Sequence, residues 1–374
     1  MSDQTYRLNS RLATPEKEYL VQTINDSQRG RVLSSVFSEG ELVETQEEPL
    51  DAGKNAEEIL KRVKEAHEEK TKEFEYLIDM YRRVVQGEEI EQMVYLGQAL
   101  FYKNMFLEAT NLFSRATELD PEFHRGWSHL GMARFKLSMW QESCDAFAKS
   151  VELKPHYADY RNSLGEAYLA VNSCKRAVIE FEEAVKINVY YGEAYLNLAL
   201  AYMLNAVRRE DFKLFSNQSE KTAEMLKKAE MIMPEMVGQV YLEGQKYLDK
   251  GDIEKAFGKF LGVREKLKDR KRQKFSNSYL RFMLASNEVN ERLLSRRIRS
   301  IKDAIAVTPH YADLHHELAI AYTLLGSFIH NKAVEEYSKA LAINPDFERA
   351  RRNMKLAENE IKGFDVLLKA ILKG

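Results

Sequence analysis

The chain has 374 residues, 44% hydrophobic and 30% charged, with 56 Lys and Arg against 58 Asp and Glu. A formal charge of −2 argues against a globally basic nucleic-acid binder, and 7 prolines with 17 glycines disfavour a turn-rich all-β or disordered chain. Two cysteines, Cys144 and Cys174, cannot build a disulfide framework and fit a reducing compartment.

The start, MSDQTYRLNSRL, lacks a signal-type apolar core, and the most apolar stretch, AYLNLALAYMLNAV from Ala194, is too short to span a bilayer. A cytoplasmic location is expected. Residues 5–47 read as three or four short strands, YRLNSRL, EYLVQTI, RVLSSVF and ELVETQ, separated by the turn clusters ATPEK, NDSQRG and SEG. A small antiparallel β element over 1–52 follows. It buries too little alone and must pack on the next helix or on a partner. A long connecting helix is expected over 53–88, where Leu60, Val63, His67, Lys70, Phe74, Leu77, Tyr81 and Val84 alternate spacings of three and four. This seam either packs on the first repeat or, despite His67 and Lys70, pairs two copies, giving a homodimer through the N-terminal element.

From residue 89 the chain repeats itself. PHYAD occurs at Pro155–Asp159 and again at Pro309–Asp313, 154 residues apart. Pro121, Pro155 and Val189 stand 34 residues apart, and Pro234, Lys268, Pro309 and Pro345 continue the series with 11, 7 and 2 extra residues at three steps. Interior positions agree. Leu96-Gly97, Ala109, Phe113, Ala116 and Pro121 mark the first repeat; Trp127, Leu130-Gly131, Phe147 and Ser150 mark the second, with Arg134 at a usual Tyr. Leu164-Gly165, Tyr168, Ala177, Phe181 and Ala184 mark the third. The fourth has Leu198-Ala199, Tyr202, Leu226 and Ala229, and the fifth Gly244, Tyr247, Ala256 and Phe260. A sixth is weak (Leu284-Ala285, Ile301, Ala304), and the seventh recovers with Leu318-Ala319, Tyr322, Ala333, Tyr337 and Ala340.

This pattern resembles the tetratricopeptide repeat. Small residues let the second helix of a pair approach the first, aromatics fill the space beside them, and proline ends the second helix. The resemblance implies a mainly α fold: an α-solenoid, a right-handed superhelix of about seven helix pairs over 89–345, closed by capping helices at 346–374. It implies binding of a protein or peptide in a concave groove lined by first helices. Groove positions are Val94, Gln98, Phe101 and Tyr102 in the first repeat and Arg125, Met132 and Phe135 in the second. They continue as Asn162, Glu166 and Leu169, then Leu196, Leu200, Met203 and Leu204. Curvature, the N-terminal sheet or the 206–220 insertion could instead bury them. A carboxylate clamp of the chaperone-binding class is not expected, because Val94, Gln98, Ser128 and Met132 stand at its positions.

Insertion 206–220 carries Phe212, Leu214 and Phe215, expected to cover neighbouring helices or meet a partner. At the far end Phe364, Leu367, Leu368 and Ile371 share a face that should cover the last repeat. No P-loop or nucleophile elbow occurs, and adjacent His315 and His316 point about 100° apart on a helix. No enzyme activity, cofactor or metal is expected. From residue 264 to 302 there are 13 Lys or Arg against 4 acids. The patch comprises Arg264, Lys266, Lys268, Arg270, Lys271, Arg272 and Lys274, with Arg296, Arg297 and Arg299. An acidic protein surface ranks above nucleic acid as its partner. The chain's own acidic segment, six acids and no base over 32–53, is a further candidate. The expected function is a non-enzymatic adaptor; the alternatives are an RNA- or anionic-surface-associated protein, or a regulatory subunit of an enzyme on another chain.

Overall fold

Four strands form where the alternating runs predict three or four: β1 (Arg7–Ala13), β2 (Glu18–Asp26), β3 (Arg31–Ser38) and β4 (Glu41–Pro49). They are antiparallel neighbours in chain order, with a bulge at Val36/Phe37. Glu39 and Gly40, at φ 53° and 84°, make the tight β3–β4 turn, whose two positive φ values match strand twist. The computed structural model describes residues 5–50, 55–209, 218–268, 275–276, 278–283, 288–307 and 312–373.

The predicted connecting helix is α1 (Ala56–Val84), started by a capping box between Asn55 and Glu58. Its seam faces inward. Val63, Phe74, Leu77 and Tyr81 are fully buried, and the helix packs on β1, β2, β3 and α2 (Ile90–Tyr102). The coiled-coil reading of that seam is corrected accordingly: the chain's own sheet and first repeat cover it. The two polar interruptions have partners there. His67 lies between Ser10 Oγ (2.8 Å) and Thr23 Oγ1 (3.1 Å), and Lys70 pairs with Glu73 at 2.7 Å.

Repeat pairs follow: α2 with α3 (Phe106–Leu119), α4 (His124–Lys136) with α5 (Trp140–Leu153), and α6 (Ala158–Ala170) with α7 (Cys174–Ile187). Next come α8 (Gly192–Arg208) with α9 (Gln218–Ile232) and α10 (Gln239–Asp249) with α11 (Ile253–Leu267). A methyl built on Gly97, Gly131 or Gly165 would lie 2.6, 2.7 or 2.5 Å from the ring of Phe113, Phe147 or Phe181. Only a bare Cα fits under those rings. The fourth pair makes the complementary choice, Ala199 with Leu226, both fully buried. Turns within pairs recur as well. Asn104, Ser138 and Asn172 take φ near 59°, and Gly251 takes 75°, each followed by an amide that reaches back to the helix five residues earlier.

Contacts divide the chain into two compact units, Met1–Tyr279 and Leu280–Gly374. The second holds α12 (Glu291–Val307), α13 (Ala312–Ile343) and α14 (Glu348–Lys373). Leu280 and Leu294 share a cluster with Ile320 and Leu324, and Phe364 of α14 lies over Gly326. The predicted seventh pair is corrected: α13 is one helix of 32 residues. Gly326 stands at the turn position, yet two extra residues before Ala333 would rotate a second helix out of phase. Nothing from Ser327 to Val334 breaks a helix. Leu284 and Ala285 of the sixth repeat lie outside the described residues, as do Phe212, Leu214 and Phe215 of the insertion.

Candidate functional site

First helices adjoin along the inner face of the first unit, α2 with α4, α4 with α6 and α6 with α8. Their side chains meet three different surroundings. At the fourth repeat, Leu196, Leu200 and Met203 are at most 1% exposed and Leu204 is buried too. The cause is α11, which packs on α8 and contributes Ala256, Phe260 and Val263 to the same apolar cluster. Helix α8 is buried on every side from Ala194 to Asn205 because every side is covered.

At the third repeat the floor is polar. Asn197 donates to Asn162 Oδ1 at 2.9 Å and to Glu166 Oε1 at 3.0 Å, with Asn162 and Asn197 both fully buried. Leu169 is buried, and Val94 of the first repeat is likewise core.

At the first two repeats the groove is occupied by residues from beyond α11. Lys268 lies over the Phe135 ring at 5.7 Å, and Phe275 stacks on Phe101 with ring centroids 4.3 Å apart. Phe275 also meets the edge of His129, which stacks on Phe113 and sits 2.8 Å from Gln98. Burial, reinforced by Arg125, lowers the His129 pKa to about 4. Arg125 itself is exposed and pairs with Glu91 at 3.3 Å. Tyr279 packs against Tyr102, centroids 5.2 Å apart, and its hydroxyl donates to Glu73.

Glu73 belongs to a buried four-charge cluster. Lys103, at the end of α2, pairs with Glu73 at 2.7 Å and with Glu44 of β4 at 2.9 Å; Lys70 of α1 pairs with both acids. Burial alone would raise the Glu73 carboxyl, but Lys103 and Lys70 outweigh it and hold it well below the ordinary range. Burial, then Glu73, drives the Tyr279 hydroxyl well up, so it stays a donor. Lys103 also lies 4.7 Å over the Tyr279 ring. Sequence reasoning missed this cluster; the signals were Lys70 inside an apolar seam and the acidic 32–53 segment. Within that segment Glu39, Glu44, Glu47 and Glu48 pair with Lys17, Lys70, Lys103, Arg31 and Arg62.

Beside the occupied positions a cleft of about 280 Å³ stays open. Phe101, Tyr102, Met132, Phe135, Phe147 and Phe275 supply its apolar walls, with Lys136, Glu166, Glu265 and Lys268 among the polar ones. This suits one or two side chains rather than a whole small ligand. The basic patch draws on both units. Arg264, Lys266 and Lys268 belong to the first unit, Arg296, Arg297 and Arg299 to the second, while Arg270, Lys271, Arg272 and Lys274 lie outside the described residues. Arg264 and Lys268 pair with Glu265, and Arg297 with Glu317. Both cysteines are buried, and burial pushes the Cys144 thiol up to about 11. Among the described residues no cluster of three His, Cys, Asp or Glu could hold a metal, and no helix is long and apolar enough to cross a membrane.

Helix pairs at a 34-residue step, with Gly97, Gly131 and Gly165 of the first helices under Phe113, Phe147 and Phe181 of the second, define a helical-repeat fold of tetratricopeptide type, here with an N-terminal sheet. No protein-family profile matches the chain, and no curated protein does. Among solved structures it is similar to YrrB, described as a TPR protein with an unusual peptide-binding site: 18% identity over 49% of this chain and 91% of that one, TM-score 0.37. It is similar to MamA 41-end from Desulfovibrio magneticus RS-1 at 22% identity over 48% of this chain and 95% of that one, TM-score 0.38. A crystal structure of MamA follows at 22% identity, covering 41% of this chain and 85% of that one, TM-score 0.36.

Proposed function

We propose that the protein is a non-enzymatic, cytoplasmic interaction scaffold that takes a segment of a partner protein into the groove of its first three repeats. The observation that carries this reading is the open cleft bounded by Phe101, Met132, Phe135 and Phe147. Apolar walls edged by Lys136 and Glu166 fit a partner side chain seated among rings, with polar groups orienting its backbone. Met132 can adapt to the shape of what enters. Groove positions of the fourth repeat serve the core instead, so the docking surface is shorter than the repeat pattern predicts. Pairing of Arg264, Lys268 and Arg297 with acids of their own units ranks nucleic acid below protein as a partner. A homodimer through the sheet, or a role as regulatory subunit, are the alternatives to be read in the same experiment.

Panning a random peptide display library on the full chain, then titrating a selected peptide, tests the proposal. Met132→Glu should weaken that peptide at least tenfold while leaving the circular-dichroism melt nearly unchanged. Selection of no peptide, or equal binding by the variant, would sink the docking reading. Elution of the unliganded chain as a dimer that β4 substitutions dissolve would favour the homodimer.

A further inference from the structure

We infer that Phe275 and Tyr279 are a resident ligand of the groove, and that the partner it accepts is a helical segment with Phe and Tyr four residues apart. This rests on the docking reading above and gives the partner its chemistry. Residues 275–276 and 278–283 are helical, and Phe275 and Tyr279 are 6% and 1% exposed although they belong to no repeat pair of the first unit. They touch the residues that the repeat pattern assigns to ligand contact. Phe275 stacks on Phe101, and Tyr279 packs on Tyr102, the two groove positions at the end of the first helix. An i, i+4 spacing puts both rings on one helix face, as a docked amphipathic segment requires.

Charge bookkeeping separates an occupant from a structural pillar. Lys70, Lys103, Glu44 and Glu73 balance one another, two cations against two carboxylates. Tyr279 adds one neutral donor to Glu73 and one ring under Lys103, so its withdrawal leaves no unpaired buried charge. Any segment presenting the same ring and hydroxyl restores both contacts. Phe275 lines the open cleft, so an incoming chain can meet the groove beside the resident ring before replacing it. The covalent tether makes the resident segment a competitor at high effective concentration, and an outside ligand binds only to the fraction in which it has left.

The probe is a fluorescein-labelled peptide of residues 264–283, titrated by anisotropy into the full chain and into its Phe275→Ala/Tyr279→Ala variant. The variant should bind it at least tenfold more tightly than the unaltered chain. A peptide carrying the same two alanines should bind neither protein, and Phe101→Ala in the variant background should abolish binding. Equal affinity for the two chains would overturn the inference, as would binding that ignores the peptide's aromatics. Loss of the first unit's cooperative melt in the double variant would also overturn it, because the two rings would then be core. If panned peptides still bind through Met132 while these tests fail, docking survives and only the resident-ligand inference falls.

Discussion

The first and fourth repeats both carry apolar groove positions and use them in opposite ways. Phe101 and Tyr102 meet two side chains of a returning segment and leave a cleft beside them, whereas Leu196, Leu200 and Met203 are sealed beneath a whole helix. An apolar residue at a ligand-facing position therefore marks only that something covers it. What covers it decides whether the place is a site or a core. The neighbours tell the two apart: α8 is buried all round from Ala194 to Asn205, while α2 and α4 keep Gln92 and Arg134 on other faces.

Placing a carboxylate at each end of the groove breaks or upholds that contrast, and it carries the largest expected effect. Leu200→Glu puts an unpaired charge where no water reaches, and should cost more than about 4 kcal/mol and unfold the first unit. Met132→Glu, beside the cleft, should cost less than about 1 kcal/mol. Urea unfolding of the two variants measures both, and similar midpoints would show that the two ends do not differ.

Breaking the charge cluster comes next. Lys103→Met removes one of two cations from a pair of buried acids, and such breaks cost about 3–5 kcal/mol. The Glu73 and Glu44 carboxyls are held below their ordinary range in the folded chain, so their contribution is present above pH 4.5 and is lost as pH falls through the lowered folded values. In the variant that loss should begin at higher pH, because burial then acts against one lysine rather than two. An acid-unfolding midpoint identical to that of the unaltered chain would contradict the pairing.

The repeat signature itself predicts a smaller, signed pair of effects. Gly131→Ala drives a methyl into the Phe147 ring and should cost about 1–3 kcal/mol. Ala199→Gly, in the buried cluster that also holds Leu226, meets no such clash and should cost about 1 kcal/mol, mainly backbone entropy. These local rules explain what was legible in the sequence. Glycine–phenylalanine pairs recur at fixed offsets, alternation gives the strands, and proline or its substitute marks each junction. The return of α11 onto α8 was not legible, because pairing between helices so distant in sequence leaves no periodic trace. Lys70 signalled its cluster only as an exception inside a seam, since Glu44 and Lys103 come from elements distant in sequence. The unbroken α13 was hidden by Gly326, which permits a turn without requiring one.

Acidification should loosen the first-repeat end of the groove while sparing the fourth. His129 sits among Phe113, Phe275 and Gln98, with Arg125 on its own helix disfavouring a second positive charge. Its folded pKa of about 4 lies below the model-peptide value of 6.5, so the folded chain keeps the ring neutral while the unfolded chain takes up a proton. Stability from the neutral ring is therefore complete above pH 6.5 and declines as pH falls toward 4. Between pH 7 and pH 5 the decline should reach about 1–2 kcal/mol, and His129→Gln should lack it. Hydrogen exchange gives the spatial half of the answer. Amides of α2 and α4 should lose protection at pH 5 relative to the Gln variant, after correction for intrinsic rates. Those of α8, covered by Ala256, Phe260 and Val263 of α11, should keep theirs. Equal loss at both ends would mean that acid acts through the carboxylate cluster or globally, and that His129 does not govern the packing of Phe275.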